Sequence, residues 1–165
     1  MQQSRLIDQV THIYYACAQL IYDSIDYIPE TAGNVAIFCQ TDEEYDGFQK
    51  LANHLVRPSD NPAQKYFQLI EPISIKGKGE IPPTVLSWLY IRKPSKDTPE
   101  AGDIDFVLTQ EEYNELKEQT GNGNIQNCSI YARASWDMLE FRHPNYDCIP
   151  YITILPMAEK VRLRF

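Results

Sequence analysis

Residues 34–45, NVAIFCQTDEEY, and residues 102–113, GDIDFVLTQEEY, decide the fold of this 165-residue chain. Each stretch opens with a short apolar run rich in residues that favour β-strands. Each then reaches Thr-x-x-Glu, the spacing at which a threonine and a glutamate cap the start of a helix. The two stretches therefore predict two similar units in which a strand leads directly into a helix.

An offset of 68 residues lays one stretch on the other. Phe38 then falls on Phe106, and Thr41 falls on Thr109. Threonine caps followed by acidic first turns are common in unrelated helices. The correspondence is thus explained either by an internal duplication or by generic strand-to-helix chemistry, and the sequence leaves both interpretations open.

Further strands follow each predicted helix, so each half contains a strand, a helix and then two or three strands. We expect an α+β fold of two βαβββ-like units that share a mixed or antiparallel curved sheet. Residues 1–165 form one domain in this interpretation, with the first unit at 34–93 and the second at 102–155. The later strands are predicted at 66–75, 85–92, 127–131, 137–142 and 149–155, and an edge strand at 160–165.

The N-terminal segment, residues 1–30, precedes both units. Apolar residues recur there at spacings of three and four from about residue 4 to residue 28, which predicts a long helix with one apolar face. Such a face packs either across a sheet of the same chain or against a second copy. Intramolecular packing is favoured, and a homodimer or self-assembly module built on this helix stays as an alternative.

Charge and composition exclude several classes of function. The net charge of −8 opposes binding to a nucleic-acid backbone. No stretch has the roughly 18–20 apolar residues that cross a membrane, and no secretory signal is recognised, which predicts a cytoplasmic protein. The cysteines lie far apart without a CxxC pair, so we expect buried reduced thiols and no zinc site at Cys17, Cys39, Cys128 and Cys148.

Two βαβββ-like units in one short chain resemble the vicinal oxygen chelate superfamily, which includes glyoxalases and extradiol dioxygenases. The resemblance rests on the apolar strand 34–38, on 102–107 as the opening strand of the second unit, and on 138–144 (MLEFRHP) as a late strand with a glutamate. It covers about residues 34–155. It implies that each unit curls its sheet around a shared cleft, which in this family often holds a divalent metal.

The family pattern is incomplete in this chain. Metal sites in the family that this chain resembles typically consist of two histidines and two carboxylates. In this chain Asn34 and Asp103 occupy the strand positions where that resemblance leads us to expect histidines. Glu140 matches the late glutamate. The resemblance therefore implies a degenerate, glyoxalase-like small-molecule-binding domain, with enzyme activity undecided and no cofactor identified.

Four residues are the candidate ligands if a divalent metal does bind: Asp103, Asp105, Glu140 and His143. Asp103 and Asp105 share one face of a strand, because side chains two residues apart point the same way. Two such carboxylates can hold Mg²⁺ against a phosphate, which gives nucleotidyl or phosphoryl transfer as a further alternative. They can equally form the solvated face of the strand.

A set of aromatic and basic residues forms the predicted ligand site. Strict alternation along 85–92 puts Leu86, Trp88, Tyr90 and Arg92 on one face of a strand, where Arg92 could bind a carboxylate or phosphate. Core packing of both aromatic side chains is the competing interpretation. The full set of predicted ligand-binding residues is Trp88, Tyr90, Arg92, Arg133, Trp136 and Arg142.

Overall fold

A computed structural model describes residues 2–133 and 136–156 of the chain. These residues form three helices and seven strands in one mixed sheet, whose strand order is β2-β3-β1-β4-β7-β6-β5. The predicted strand at 160–165 lies outside the described residues. In chain order the elements are α1 (Gln2–Ile25), β1 (Thr31–Phe38), α2 (Asp42–Leu55), β2 (Phe67–Ile75), β3 (Thr84–Arg92), β4 (Gly102–Val107), α3 (Gln110–Gly121), β5 (Cys128–Ala132), β6 (Asp137–Phe141) and β7 (Cys148–Thr153).

The sheet is built from two units that meet at its centre. In each unit the opening strand pairs in parallel with the last strand, β1 with β3 and β4 with β7. The two opening strands, β1 and β4, pair antiparallel with each other. The predicted α+β fold, with a long helix ahead of two strand–helix units, is confirmed. The first unit has two strands after its helix and the second has three.

Threonine caps start the helix of each unit, as predicted. The Thr41 hydroxyl accepts a hydrogen bond from the Glu44 backbone N–H at 3.1 Å. The Thr109 hydroxyl accepts one from Glu112 N–H at 3.3 Å, and the Glu112 carboxylate accepts one from Thr109 N–H at 3.0 Å, which completes a capping box. In the first unit the Glu44 carboxylate instead accepts from Gln40 N–H at 2.7 Å.

The offset of 68 residues holds for the caps and fails for the strands. Ile37 and Phe106 both point into the main core, whereas Phe38 lies on the opposite face of the sheet. Since neighbouring residues of a strand point to opposite faces, Ile37 and not Phe38 is the counterpart of Phe106. The first unit therefore has one residue more than the second between this core position and the threonine cap.

Helix α1 lies across the middle of the sheet, where it packs against β7, β4 and β1. The predicted apolar face is buried inside the chain. The helix ends at Ile25, three residues before the predicted end, and Asp26 follows with a positive φ of 64°. A homodimer through this helix stays a prediction, now without the apolar face that motivated it. The buried residues are Leu6, Val10, Ile13, Tyr14, Cys17, Ala18, Leu20 and Ile21.

Gly102 permits the close approach of α1 to the sheet. A Cβ atom at this position would lie 2.2 Å from the carbonyl oxygen of Ala36 and 2.6 Å from Cδ1 of Ile13. Both distances are far shorter than a normal carbon contact. Only glycine fits where the first residue of β4 meets the helix.

Strand β3 departs from the strict alternation that the sequence suggested. Leu86 is fully buried in the main core together with Leu89 and Ile91, so it does not share a face with Tyr90 and Arg92. The change of face coincides with an irregularity in the pairing of β2 with β3, where the register shifts between Gln68 and Ile73. A bulge of this kind reverses which residues face the core.

Helices α1, α2 and α3 contribute to the same hydrophobic core on one face of the sheet. On the other face a smaller apolar cluster consists of Ala36, Phe38 and Ile149. Among the described residues, none of the helices combines the length and the apolar character needed to span a membrane. The two faces therefore differ within the described part of the chain: helices cover one, and no helix covers the other.

Candidate functional site: the cleft on the helix-free face of the sheet

The helix-free face encloses a cavity of about 510 Å³. Both units contribute to it, since its lining includes the ends of β1 and β3 from the first unit and residues of β4, β6 and β7 from the second. We call this cavity the cleft. It is lined by Phe38, Lys65, Tyr66, Tyr90, Arg92, Thr98, Asp103, Asp105, Tyr131, Arg133, Trp136, Met138, Glu140, Arg142, Ile149 and Tyr151.

Two aspartates of the central strand β4 lie in the cleft. Asp105 is 2% exposed, and in the sheet it pairs with the fully buried Asn34. Asp103 keeps some exposed surface, but its Oδ1 atom is buried and accepts no hydrogen bond from any described residue. The aspartates alternate with core residues as predicted, although they do not form the solvated face that was one interpretation of this pattern.

Burial raises the pKa of Asp103 well above its usual value. The negative charge of Asp105 raises this pKa further, and the positive charge of Arg92 opposes the change. The cause is that an ionised carboxylate is costly where water is excluded. In its protonated form Asp103 can donate a hydrogen bond to a ligand.

Arg92 brings a positive charge into the cleft from the end of β3. Its guanidinium lies 4.8 Å from the centre of the Phe38 ring, in a cation–π contact. Among residues 2–133 and 136–156 it forms no hydrogen bond or ion pair. A half-buried arginine in this state can still bind an anionic group with two hydrogen bonds.

Tyrosines form the wall next to Arg92. The rings of Tyr66 and Tyr90 lie 5.2 Å apart at a tilt of 52°. Burial is the largest cause of the raised pKa of both, and the charge of Asp103 adds to it in each case. These phenols therefore stay protonated near neutral pH, and they offer both an apolar ring and a hydroxyl to a ligand.

The opposite wall holds an ion-pair network. Glu140 accepts hydrogen bonds from Nε of Arg142 at 2.9 Å and from the hydroxyl of Tyr151 at 2.9 Å. Arg142 Nη1 also donates to Glu100 at 2.7 Å. Both carboxylate oxygens of Glu140 are thus engaged within the protein. This network fixes the wall and leaves Glu140 little capacity to bind anything else.

An aromatic and basic cluster lies next to that wall. The Arg133 guanidinium is 4.8 Å from the ring centre of Tyr131 and 5.7 Å from that of Trp136. The Tyr131 ring is in turn 6.2 Å from the ring of Tyr151. This cluster extends the aromatic lining of the cleft into the second unit.

Five of the six predicted ligand-binding residues line the cleft. The exception is Trp88, which is half-buried elsewhere along β3. Sequence reasoning missed five aromatic or basic residues of the lining. Tyr131 and Tyr151 stand at alternating positions of short strands, a signal that could have identified them; the other missed residues are Phe38, Lys65 and Tyr66.

The predicted metal-binding set does not come together. Asp103, Asp105 and Glu140 line the cleft, but His143 lines a separate cavity of about 520 Å³. Within the described ranges, no three of these four residues bring their ligand atoms within 4.8 Å of one another. The turn after β6 carries His143 away from the cleft, which the linear proximity to Glu140 had concealed.

Comparisons with known proteins give fold-level information. No family model matches the chain, and no curated protein matches its sequence. A solved structure described as structural genomics protein EC4020 is similar over 99% of this chain and 93% of its own, with a TM-score of 0.62 and 13% sequence identity. At this identity the likeness supports the fold alone.

Two further solved structures align weakly. One is a glyoxalase/bleomycin resistance protein/dioxygenase superfamily member from Vibrio splendidus 12B01, with a TM-score of 0.34, 8% identity, and coverage of 73% of this chain and 97% of that one. The other is integron cassette protein HFX_CASS4 from the mobile metagenome of the Halifax Harbour sewage outfall, with a TM-score of 0.27, 16% identity, and coverage of 76% and 99%.

Proposed function

We propose that this chain is a small-molecule-binding domain of glyoxalase-like type, and that its ligand occupies the cleft. The observation that carries the proposal is a cavity of about 510 Å³ at the junction of two similar units. Among the described residues, its lining includes a buried Asp103 oxygen that accepts no hydrogen bond and an Arg92 guanidinium that forms no ion pair. This volume is typical of small-molecule sites. Unsatisfied polar groups at such a site are the groups that a ligand would engage.

The lining favours a flat ligand that carries a carboxylate or a phosphate. Arg92 supplies the cation, and the rings of Tyr66 and Tyr90 supply aromatic surface beside it. Protonated Asp103 would donate a hydrogen bond to an oxygen or nitrogen of the same ligand. An acidic protein that binds an anion needs such a local cation, because its overall field repels the ligand.

Binding in this proposal requires no metal at Asp103, Asp105 and Glu140. The raised pKa of Asp103 opposes metal binding, since metals bind the deprotonated carboxylate. Glu140 is already bound to Arg142 and Tyr151. The same two features oppose metal-dependent phosphoryl transfer at the two aspartates.

The experiment is a calorimetric and thermal-shift screen of the full chain against aromatic carboxylates and aryl phosphates. A true ligand at about 100 times its dissociation constant should raise the unfolding free energy by about 2.7 kcal/mol. Arg92→Ala should weaken its binding at least tenfold, since hydrogen bonds to charged groups contribute about 1.5–3 kcal/mol. Asp103→Asn keeps a neutral donor and should retain binding at neutral pH.

The matched control is Arg57→Ala, which removes an exposed arginine outside the cleft. It should bind the ligand as the unmodified chain does. Equal weakening by Arg57→Ala and Arg92→Ala would show a general charge effect and contradict the proposal. A folded chain that binds no member of the panel would contradict it as well.

A further inference from the structure

A second cluster of reactive side chains lies on the helix-covered side of the sheet, outside the cleft. His12 projects from the middle of α1, Asp147 immediately precedes β7, and Cys148 is the first residue of β7. They are the one group of three or more histidine, cysteine or acidic residues in the described ranges whose ligand atoms all lie within 4.8 Å of one another. We propose that His12, Asp147 and Cys148 bind a zinc ion or a similar divalent transition metal.

The fold holds these residues together although they are far apart in sequence. Gly102, beside Cys148 in the sheet, lets α1 approach β4 and β7 closely at Ile13, the residue after His12. A backbone hydrogen bond of 2.6 Å from Ala101 N–H to the carbonyl of Asp147 fixes the chain on the other side. The cluster is therefore positioned by helix–sheet packing.

The distances fit a metal with small adjustments. His12 Nε2 lies 2.9 and 2.8 Å from the two carboxylate oxygens of Asp147, and Cys148 Sγ lies 3.4 Å from Asp147 Oδ1. Ligand atoms around tetrahedral zinc are about 3.3–3.8 Å apart, given bonds of about 2.0–2.3 Å. The His12 and Asp147 side chains are 52% and 57% exposed, so they can separate by the few tenths of an ångström that this requires.

The set of donor atoms selects the class of metal. An imidazole nitrogen, a carboxylate oxygen and a cysteine sulfur together suit zinc and its neighbours in the first transition series. Magnesium and calcium prefer oxygen ligands alone. A cysteine sulfur that lies beside a histidine and an aspartate distinguishes the cluster from an ordinary surface ion pair.

Three protein ligands leave one coordination position for water or a small anion. Asp147 and Cys148 also line the cavity of about 520 Å³ that contains His143, which gives solvent a path to the ion.

The test is a titration of the full chain with Co²⁺, a spectroscopic substitute for Zn²⁺, in the presence of a phosphine reductant that carries no thiol. We expect one Co²⁺ per chain, a thiolate-to-cobalt charge-transfer band and the strong visible bands of tetrahedral cobalt, all displaced by Zn²⁺. His12→Ala should weaken binding at least tenfold. Cys148→Ser should abolish the charge-transfer band.

Matched controls remove the same residue types elsewhere: His54→Ala on the exposed surface of α2 and Cys128→Ser on β5. Both should bind Co²⁺ as the unmodified chain does. Circular dichroism should verify the fold of every variant, and since Cys148 is buried, exposed His12 gives the more secure comparison. A folded unmodified chain without the charge-transfer band, or equal affinities of the His12→Ala and His54→Ala variants, would overturn the proposal.

Discussion

The two units start from similar local sequence signals and use them differently. In the first, the aromatic residue that follows the strand core, Phe38, faces the cleft and stacks on Arg92. In the second, Phe106 is fully buried under α1, near Tyr14. One residue of difference between strand and cap reverses the face. Similar sequence signals therefore fix the local elements, while the count of residues between them fixes what each side chain contacts.

The largest expected effect comes from truncating these two phenylalanines. Phe106→Ala should lower the unfolding free energy by about 3–5 kcal/mol, because it leaves a cavity in the main core. Phe38→Ala should cost at least about 1 kcal/mol less, because one side of its ring borders the cleft. Urea denaturation with equal m-values checks both. Equal losses would show that the two faces are packed alike, which would break the comparison.

The second expected effect concerns the acidic group that the second unit contributes to the cleft, Asp103. Its folded-state pKa lies above the unfolded value of about 3.9. The folded chain thus holds this proton more tightly, and the resulting stability is lost as pH rises from about 4 through the folded pKa. The limiting slope for one proton is about 1.4 kcal/mol per pH unit.

Asp103→Asn removes this titration, so its stability relative to the unmodified chain should increase over that pH range. Chemical denaturation at a series of pH values measures the difference. Asp60→Asn, at an exposed position, is the control and should follow the unmodified chain. A difference that stays constant with pH would show that Asp103 titrates normally.

The tyrosines that follow the caps sharpen the comparison further. Tyr113 is buried and donates a hydrogen bond to Asp137, which also pairs with Lys117 at 2.6 Å. Tyr113→Phe should therefore cost about 1–2 kcal/mol. Its counterpart Tyr45 is only half-buried, and its hydroxyl has no hydrogen-bond partner among the described residues. Tyr45→Phe should change stability by less than about 0.5 kcal/mol in the same denaturation assay.

The smallest difference is expected at the caps themselves. Thr41→Ala and Thr109→Ala should each cost about 1 kcal/mol. The second loss should be the larger, because Thr109 belongs to a complete capping box and Thr41 does not. Thermal unfolding of the two variants side by side resolves this order. Equal losses would indicate that the reciprocal bond of Glu112 adds nothing measurable.

The elements of this fold were predictable because their signals are local. The apolar face of α1, the threonine caps and the short strands all follow from residues close in sequence. Which residues of β3 face the core was not predictable, because the irregularity opposite Leu86 arises from the pairing of β3 with β2. Likewise, the one extra residue before Thr41 could not be recognised from the sequence, because the offset of 68 residues aligns Phe38 with Phe106.

The cleft was partly predictable for the same reason. Alternation placed Tyr90 and Arg92 on one face of their strand, and it placed Asp103 and Asp105 on one face of another strand. Which of these residues are buried could not be predicted without the strand order of the sheet. That order places β3 and β7 on either side of the central strands β1 and β4. The cluster of His12 with Asp147 and Cys148 had no sequence signal at all, since 135 positions separate the first two.

The position of α1 over the centre of the sheet has a practical consequence for anyone who shortens this chain. Deleting the segment before Thr31 would uncover the underside of the central strands, including the fully buried Val35, Ile104 and Ile152. A truncated protein of this kind would expose a broad apolar surface and aggregate during expression. Tags and fusion partners should therefore be attached at the N-terminal end of α1 and should never replace the helix.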